Sequence, residues 1–337
     1  MKMKQRSIEE YVFREYDLYP IRVAPHRNVF RITTDWGEFA LKFTQMPGHF
    51  IEGIFHTVQY LHNRGFTHLC PIIPNKFGDV VVPGNEGCYY LSPWVSGKHE
   101  ILEEQWEEEV VGLMATMHHL TGSEESVYMD EEWLKGIAFR WKSKMKRMKY
   151  CYQVARSREY PSPFDVVFAT NFTSLWEIGK KAHRILLNWS KGRKVKLKKC
   201  FTHGHIHQNN MIYTSEGKWV WIDLHHCRMD SPIRDMKSFY RHHLSAYDWK
   251  FEIGESWQEI YQDYHPLEKE EWILLYLLLL FPEPVISLID RYYMKNCQWS
   301  EIKSVTKLER EIHSIYQSDT FLTGKLYTMG DLEPLTD

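Results

Sequence analysis

Two polar side chains in the middle of the chain, Asn210 and Asp223, are of the kind that binds Mg²⁺, because carboxylate and amide oxygens suit this ion. Asn210 ends a histidine-rich loop, and Asp223 follows a short predicted hairpin. Transfer of a phosphoryl group requires oxygen ligands for Mg²⁺, a cation near the nucleotide phosphates and a carboxylate beside the attacking hydroxyl. Asn210 and Asp223 meet the first requirement, so the pattern indicates phosphate chemistry.

A cation for the phosphates is available in a predicted β-hairpin near the N-terminus. Residues 29–34 and 38–43 flank an Asp-Trp-Gly turn at residues 35–37. Side chains alternate across a strand, so Lys42 lies on the face opposite to Leu41 and its apolar neighbours. The ammonium group of Lys42 is therefore expected to project away from the apolar side of this strand.

The remaining elements follow from hydrophobic periodicity and from turn residues. The chain after residue 133 is predicted to be mostly helical, with a single later strand pair at residues 210–213 and 219–222. The basic stretch 191–199 is interpreted as a linker. Further predictions are helices at residues 7–19, 49–63 and 100–120, a second hairpin near residues 78–85, and a connection between domains at residues 92–97.

The loop and the later acid together resemble a known family. The run His203-Gly204-His205, followed by Asn210 and then by Asp223, resembles the H-G-D-x-x-x-x-N loop and the subsequent I-D pair of aminoglycoside phosphotransferases and choline kinases. The resemblance implies a kinase-like fold in which Asn210 and Asp223 are the metal ligands.

Other positions fit the same resemblance. Lys42 resembles the lysine that binds the nucleotide phosphates, and Glu52 is the candidate for the glutamate that pairs with it. His203 and Asp235 match positions that support the catalytic loop, and residues 92–97 resemble the hinge. The resemblance therefore implies that ATP and Mg²⁺ are the cofactors to test.

One position departs from the family pattern. His205 stands where the family has its catalytic aspartate. An imidazole with a pKa of about 6.5 can accept a proton, but it lacks the negative charge of a carboxylate. A positioned general base contributes about 10²–10⁴-fold, so this replacement predicts an inactive or weakly active site. The loop at residues 21–28 also lacks glycine, which disfavours close wrapping of phosphates by backbone amides.

A narrower resemblance concerns the C-terminal part of the chain. Residues 277–283, followed by the Arg-Tyr-Tyr run at 291–293, are similar to a pattern in spore-coat protein S and its relatives from endospore-forming bacteria. Residues 230–235 fit the same group. The resemblance implies synthesis in the mother-cell cytoplasm, incorporation into the spore coat, and other coat proteins as partners. A small-molecule acceptor is expected only if the site is active.

The composition disfavours several other classes of protein. Hydrophobic residues make up 43% and the net charge is −2, which is typical of a globular protein without a general preference for nucleic acid. The six cysteines are scattered without a C-x-x-C pair, which indicates thiols in a reducing compartment. The N-terminus lacks the apolar run of a signal peptide, and the most apolar stretch, 272–281, is about half the length needed to span a bilayer. We therefore expect a buried helix there, no membrane span and no nucleic-acid partner.

Two further hypotheses remain open. The basic stretches 135–149 and 191–199 suit the docking of an acidic partner. Imidazoles suit Zn²⁺, although no cysteine or carboxylate with zinc-type spacing accompanies them. The histidines concerned are His203, His205, His207, His225, His226, His242 and His243.

These observations predict an α+β protein with a two-lobed kinase-like fold. We expect a small antiparallel N-lobe in residues 1–91, a hinge at 92–97, and a mostly helical C-lobe at 98–337 that carries the degenerate loop 203–210. The preferred function is a spore-coat-associated degenerate kinase. The alternatives are an active phosphotransferase with His205 as an atypical base, and a nucleotide-sensing scaffold that binds ATP without transfer.

Overall fold

A computed structural model describes residues 10–99, 106–244, 251–294 and 299–330. The chain forms two compact units. The first comprises Met1–Thr121 and Phe201–Met229, and the second comprises Gly122–Cys200 and Asp230–Asp337. The histidine-rich loop and Asp223 thus belong to the same unit as the N-terminal hairpin, although they are remote from it in sequence.

Strands and helices occupy most of the described chain. The strands are β1 (Arg22–His26), β2 (Val29–Thr34), β3 (Gly37–Thr44), β4 (Val82–Gly84), β5 (Gly87–Pro93), β6 (Ser123–Met129), β7 (Val195–Thr202), β8 (Met211–Tyr213), β9 (Trp219–Trp221) and β10 (Arg228–Asp230). The helices are α1 (Glu10–Glu15), α2 (Gly48–His62), α3 (Trp106–Leu120), α4 (Glu131–Ser157), α5 (Pro163–Ser190), α6 (Ile233–Leu244), α7 (Phe251–Tyr264), α8 (Lys269–Leu280), α9 (Glu283–Met294) and α10 (Glu301–Gly330). Short 3₁₀ turns lie at Gln208–Asn210 and Leu224–His226.

The first unit is built on a five-stranded antiparallel sheet with the order β1-β2-β3-β5-β4. The predicted hairpin is β2–β3, and Gly37 closes its turn with a φ of +138°, a value that side chains other than glycine rarely allow. Arg31 and Glu38 form a two-pronged ion pair across the two strands, with N···O distances of 2.9 and 2.6 Å. The apolar face of the sheet contributes fully buried Ile32 and Leu41 to the core.

Several predicted boundaries at the N-terminal end differ from the structure. Residues 21–28 were expected to be a loop, but they form β1 and a two-residue turn that pairs His26 with Val29. Arg27 adopts a φ of +52° in this turn, so the chain reverses there without glycine. The second hairpin joins β4 to β5 and turns directly after Gly84, at the C-terminal end of the predicted range 78–85. Residues 7–9 and 100–105 of two predicted helices lie outside the described residues, as does Cys297.

The helix α3 and the hairpin β8–β9 complete the first unit. Trp106 and Trp219 pack with ring centroids 5.2 Å apart, and the indole N–H of Trp219 donates to Glu109 at 3.2 Å. Cys70, which lies after α2, donates its backbone N–H to the carbonyl of Trp221 at 2.9 Å. These contacts hold the hairpin that carries Asn210 and Asp223 at its ends within the same unit as the sheet.

The second unit is mainly helical, and its helices begin with recognisable caps. Asp130 caps α4 by accepting the N–H of Trp133 at 2.8 Å. Ser162 and Asp165 form a capping box at the start of α5. The long helices α4 and α5 pack against each other, and α10 packs against α5 and α8.

The basic stretch predicted as a linker is largely a β-strand. Residues 195–202 form β7, which pairs antiparallel with β6 at residues 123–129, a strand pair that the sequence did not predict. Val195 and Leu197 are buried, while Lys196 between them is exposed. This alternation has the two-residue period of a strand, but the lysines made the stretch resemble a solvated linker.

The most apolar part of the chain lies in α8 and α9. The stretch Lys269–Met294 is long and apolar enough to cross a membrane by length and composition, but 72% of its most apolar part is buried inside the protein. The structure breaks the stretch at Phe281, whose ring stacks on Trp141 with centroids 4.4 Å apart. The predicted buried helix at 272–281 is therefore confirmed, since core helices meet the same compositional test.

Glu283, the first residue of α9, is ion-paired with Lys144 and with Arg241, the latter at 3.3 Å. Burial alone would raise the pKa of Glu283, but these cations lower it to about 2 from an ordinary value of 4.5. The depressed pKa stabilises the fold above about pH 4.5, and this contribution disappears as the pH falls towards 2.

We predict that Glu283→Gln lowers the free energy of unfolding at pH 7 by roughly 2 kcal/mol, less than for a fully buried pair. The variant should also lose less stability than the wild type between pH 4.5 and 2. Urea unfolding at several pH values measures both effects. Glu309→Gln, at an exposed position of α10, is the control and should change neither. If the free energy of unfolding falls by the same amount between pH 4.5 and 2 in the wild type and in Glu283→Gln, the prediction is wrong.

Candidate nucleotide-type cleft

The first unit contains a cleft of about 630 Å³, a volume typical of small-molecule sites. One part of its wall is apolar and comes from the sheet, from the segment after α2 and from the hairpin β8–β9. The polar part comes from β3, from the histidine-rich loop and from the residues after β9. Lining residues used below are Val29, Ala40, Lys42, Ile72, Tyr90, His205, His207, Asn210, Ile212, Ile222 and Asp223.

The ammonium group of Lys42 lies at the polar part of the cleft. Lys42 is on β3 opposite Tyr90 of β5, and only 12% of its side chain is exposed. Its Nζ donates to Oδ1 of Asp223, and it lies 3.0 Å from Nδ1 of His225. His225 Nδ1 is in turn 2.6 Å from the same Asp223 oxygen. Lys42, Asp223 and His225 thus form one connected triad.

Burial lowers the pKa values of two members of the triad, Lys42 and His225. Burial lowers the pKa of Lys42 to about 8, although the neighbouring Cys227 favours the charged ammonium. Burial, together with repulsion from Lys42, lowers the pKa of His225 to about 4. At neutral pH the imidazole of His225 is therefore uncharged, and Lys42 is the cation of the triad.

Asp223 reaches Lys42 from an unusual backbone conformation. Its φ of +66° and ψ of +55° are left-handed, and the chain there turns from β9 into the 3₁₀ turn Leu224–His226. The left-handed conformation raises the free energy of a residue other than glycine by roughly 1–2 kcal/mol. The backbone N–H of Ile222 donates to the carbonyl of Asn210 at 2.9 Å, which fixes the start of this turn against the loop.

Asn210 forms hydrogen bonds within the histidine-rich loop. Its side-chain N–H donates to the carbonyl of His205 at 3.0 Å, and its backbone N–H donates to the carbonyl of His207 at 2.8 Å. Asn210 is 8% exposed and lines the cleft. Because the amide nitrogen is used within the loop, the side-chain oxygen is the atom suited to ligate a metal. Asn210 and Asp223 together offer the oxygen-donor chemistry that Mg²⁺ requires beside a phosphate.

His205 is exposed at the cleft and lies among other imidazoles. Its ring centroid is 4.3 Å from that of His207 and 5.1 Å from that of His226, and both pairs are edge-on. Among the described residues that line the cleft, Asp223 is the only carboxylate. The described chain also contains no group of three or more His, Cys, Asp or Glu side chains arranged for a metal ion, so the zinc hypothesis gains no support.

The other predicted site residues occupy different environments. His203 is fully buried, and its Nε2 is 3.0 Å from the carbonyl of Ile222, so it links the loop to the segment before Asp223. Glu52 is exposed on α2, and in the described structure Lys42 contacts Asp223 rather than Glu52. Asp235 is buried in the first turn of α6, in the second unit. The predicted Lys42–Glu52 pair is therefore not formed.

The predicted hinge at residues 92–97 lies along the cleft. Trp94 donates its backbone N–H to the carbonyl of Glu38 at 2.9 Å. Lys98 and Tyr213 then exchange backbone hydrogen bonds of 3.0 and 2.9 Å. A Cβ atom at Gly97 would collide with the carbonyl of Tyr213, so only glycine fits this approach. The hinge is thereby attached to the hairpin β8–β9.

Sequence reasoning missed two features of the cleft. It treated His225 only as one of many histidines, whereas the structure makes it a contact of both Lys42 and Asp223. The spacing of Asp223 and His225, with one residue between them in a turn, was the signal in the sequence that could have revealed this contact. It also did not identify the apolar wall formed by Ile72, Tyr90 and Ile212. These residues are far apart in sequence, and no local pattern connects them.

The architecture matches solved phosphotransferase structures. An aminoglycoside phosphotransferase from Alicyclobacillus acidocaldarius superposes with a TM-score of 0.78 at 16% identity, over 98% of both chains. The spectinomycin phosphotransferase APH(9)-Ia, solved with ADP and spectinomycin, superposes with a TM-score of 0.63 at 13% identity, over 93% of this chain and 97% of that one. These likenesses confirm the predicted α+β kinase-like fold, with an antiparallel sheet in the N-terminal region and a mostly helical C-terminal part.

Comparison of sequences identifies the family to which the chain belongs. Residues 9–324 match the profile of the family described as "Spore coat putative kinase YutH", and the chain belongs to this family. Spore coat protein S of Bacillus subtilis (strain 168) is 25% identical over 348 residues, which cover 95% of both proteins. The two resemblances found in the sequence, to aminoglycoside phosphotransferases and to spore-coat protein S, are thus confirmed.

The triad gives a prediction about His225. Replacing Lys42 by methionine removes the repelling charge but leaves the burial, so the pKa of His225 should rise from about 4 towards 6.5. NMR titration of the imidazole C–H signals, assigned with a His225→Gln variant, measures this shift. Lys76→Met, which alters an ammonium group 3.7 Å from Asp17, is the control and should leave His225 at about 4. Identical titration curves in the two lysine variants would show that Lys42 does not influence His225.

Proposed function

We propose that this protein is a spore-coat-associated degenerate kinase, which holds a nucleotide in its cleft and does not transfer the phosphoryl group efficiently. The observation that carries the proposal is the composition of the polar part of the cleft. By its resemblance to the family loop, His205 stands at the position of the catalytic aspartate, and the only carboxylate among the described lining residues, Asp223, is bound to Lys42. The described lining therefore offers no second carboxylate to take the proton of an acceptor.

A correctly placed base contributes about 10²–10⁴-fold to a proton-coupled transfer. Asp223 is a poor replacement, because its Oδ1 already contacts Lys42 and His225 and its carboxylate is the one proposed to hold Mg²⁺. An imidazole at position 205 offers basicity but no negative charge to align a hydroxyl with a metal-bound phosphate.

The cleft nevertheless has the chemistry needed to bind a magnesium–nucleotide complex. Val29, Ala40 and Ile212 offer apolar surface suited to the flat face of a base. Asn210 and Asp223 would hold Mg²⁺, and Lys42 would contact the phosphates. The ion, when bound, neutralises phosphate charge. Lys42 and Asp223 neutralise each other until a ligand provides new partners for both.

An active small-molecule phosphotransferase remains the alternative. It is favoured by one observation, which is that His205 is exposed at the cleft beside Asn210. An imidazole can accept the proton of a hydroxyl or amine acceptor. In that case His205 would be the base, and transfer would depend on it.

Nucleotide binding and transfer can be separated in one series of measurements. We predict that Mg-ATP stabilises the wild type by about 2.7 kcal/mol at a concentration 100-fold above Kd, and that Lys42→Met abolishes this stabilisation. Labelled ATP with candidate acceptors should give no sustained transfer in the wild type. His205→Asp should restore a carboxylate and raise transfer by roughly 10²-fold or more, whereas His207→Asp should not. Sustained wild-type transfer that disappears in His205→Ala would establish the alternative instead.

The coat assignment rests on the family and on the relative. The family is described as a spore coat kinase family, and the curated relative is named as a spore coat protein. We propose that the chain is made in the mother-cell cytoplasm and is then incorporated into the coat through contacts with other coat proteins. Exposed aromatic side chains, among them Trp36, Phe139 and Tyr160, offer contact area for such assembly.

The coat assignment predicts where the protein appears during sporulation. A fluorescent fusion expressed from the native promoter should appear in the mother cell and then form a rim around the forespore. The fluorescent protein alone, expressed from the same promoter, is the control and should stay diffuse in the mother cell. A fusion seen only in growing cells, or diffuse like the control throughout sporulation, would contradict the coat assignment.

A further inference from the structure

A second concave surface lies in the helical unit, and the cleft chemistry does not involve it. The helices α4, α5 and α10 border a groove of about 960 Å³. α4 contributes Lys142 and Lys146 to its rim, and α5 contributes Lys180, Lys181 and Arg184. We call this surface the basic groove. Its lining contains five basic side chains of Lys and Arg and two acidic ones, so its charge is strongly positive although the whole chain is at −2.

The two acids of the basic groove are already neutralised. Asp319 of α10 is ion-paired with Lys181, and Glu177 is 2.8 Å from Lys180. Within the part of the chain that the structure describes, Lys142, Lys146 and Arg184 have no ion-pair partner. These three cations belong to two different helices and line one concavity, so they can meet a single ligand.

The arrangement of these cations is unfavourable without an anion. Lys142 and Lys146 are four residues apart on α4, and Lys180 and Arg184 are four residues apart on α5. Like charges at this spacing lie side by side on a helix and destabilise it. The pKa of His183, which also lines the groove, is lowered by burial and further by the charge of Lys142. A bound anion would relieve this repulsion.

The floor of the basic groove is apolar and aromatic. Gly179 lets α5 approach α4, because a Cβ atom there would already lie 3.3 Å from Met145. Met145 and Ile178 are buried beneath the groove, and half-buried Trp176 lines it. The other side of Trp176 is supported by the ring of Phe172, 5.7 Å away. A suitable ligand therefore has both carboxylates for the rim and apolar groups for the floor.

We propose that the basic groove binds an acidic, extended segment of another protein. Carboxylates of the segment meet Lys142, Lys146 and Arg184, and an intervening apolar or aromatic side chain contacts Trp176. Arg184 adds a planar guanidinium that can bind a carboxylate with two parallel hydrogen bonds. Long flexible lysines on the rim and an aromatic floor suit a peptide with alternating acidic and apolar residues. The near-neutral charge of the whole chain disfavours nucleic acid.

The test uses the full-length protein and a labelled synthetic peptide in which glutamate alternates with leucine and tyrosine. Fluorescence anisotropy should show saturable binding that weakens with salt, since screening reduces contacts between exposed charges. Lys146→Glu/Arg184→Glu should weaken binding by at least about tenfold, because two attractive contacts become repulsive. Trp176→Leu should weaken binding without changing the charge. Circular dichroism confirms that each variant is folded.

A matched control separates the groove from net charge. Arg140→Glu/Lys196→Glu also reverses one arginine and one lysine, both exposed and outside the groove lining, and should keep wild-type affinity. Equal losses in the two double variants would overturn the proposal, because they would show attraction by net charge alone. Wild-type binding to inorganic polyphosphate or DNA but not to the peptide would overturn it as well. The proposal is independent of the nucleotide cleft, so Mg-ATP stabilisation should be unchanged in Lys146→Glu/Arg184→Glu.

Discussion

The ion pair between Lys42 and Asp223 is the contact on which the cleft depends, because it joins the N-terminal sheet to the turn that follows the hairpin β8–β9. The two residues are 181 positions apart in the chain, yet both are partly buried and each neutralises the other. Asp223 makes this contact from a left-handed backbone conformation, which is strained for a residue other than glycine. The pair keeps both the cation and the acid inside the cleft rather than in solvent.

This arrangement keeps a cation and oxygen donors together in the cleft. Lys42, Asn210 and Asp223 still offer a cation and oxygen donors, and the structure of the loop is preserved by buried His203 and by the amide of Asn210. His205 is exposed, and its Nδ1 lies 3.4 Å from the side-chain nitrogen of Asn210. The residues proposed to bind the ligand and the residue proposed as an atypical base are therefore different.

The helical unit is stabilised by different means. Capping boxes, stacked aromatic rings and the partly buried ion pairs of Glu283 hold its long helices together. The same helices leave the basic groove between them, so this unit combines a rigid frame with a charged surface. The cleft and the basic groove belong to separate compact units, which is consistent with two independent roles, one for a small ligand and one for a protein partner.

Elements with a clear hydrophobic period, and the chemical groups of the loop, could be predicted from the sequence. The hairpin β2–β3, the helix α2 and the buried helix α8 have local patterns that decide their structure, and the loop from His203 to Asn210 was recognisable from residue types and spacing. Tertiary packing makes Asp223 the partner of Lys42, although Glu52 is closer to Lys42 in sequence. Pairing with β6 makes β7 a strand, although its lysines hid the alternation of buried and exposed residues. The physical reason is that periodicity records which face of an element is buried, whereas an ion pair or a groove depends on which distant elements pack together. Such packing is a property of the whole chain, and no local window of sequence contains it.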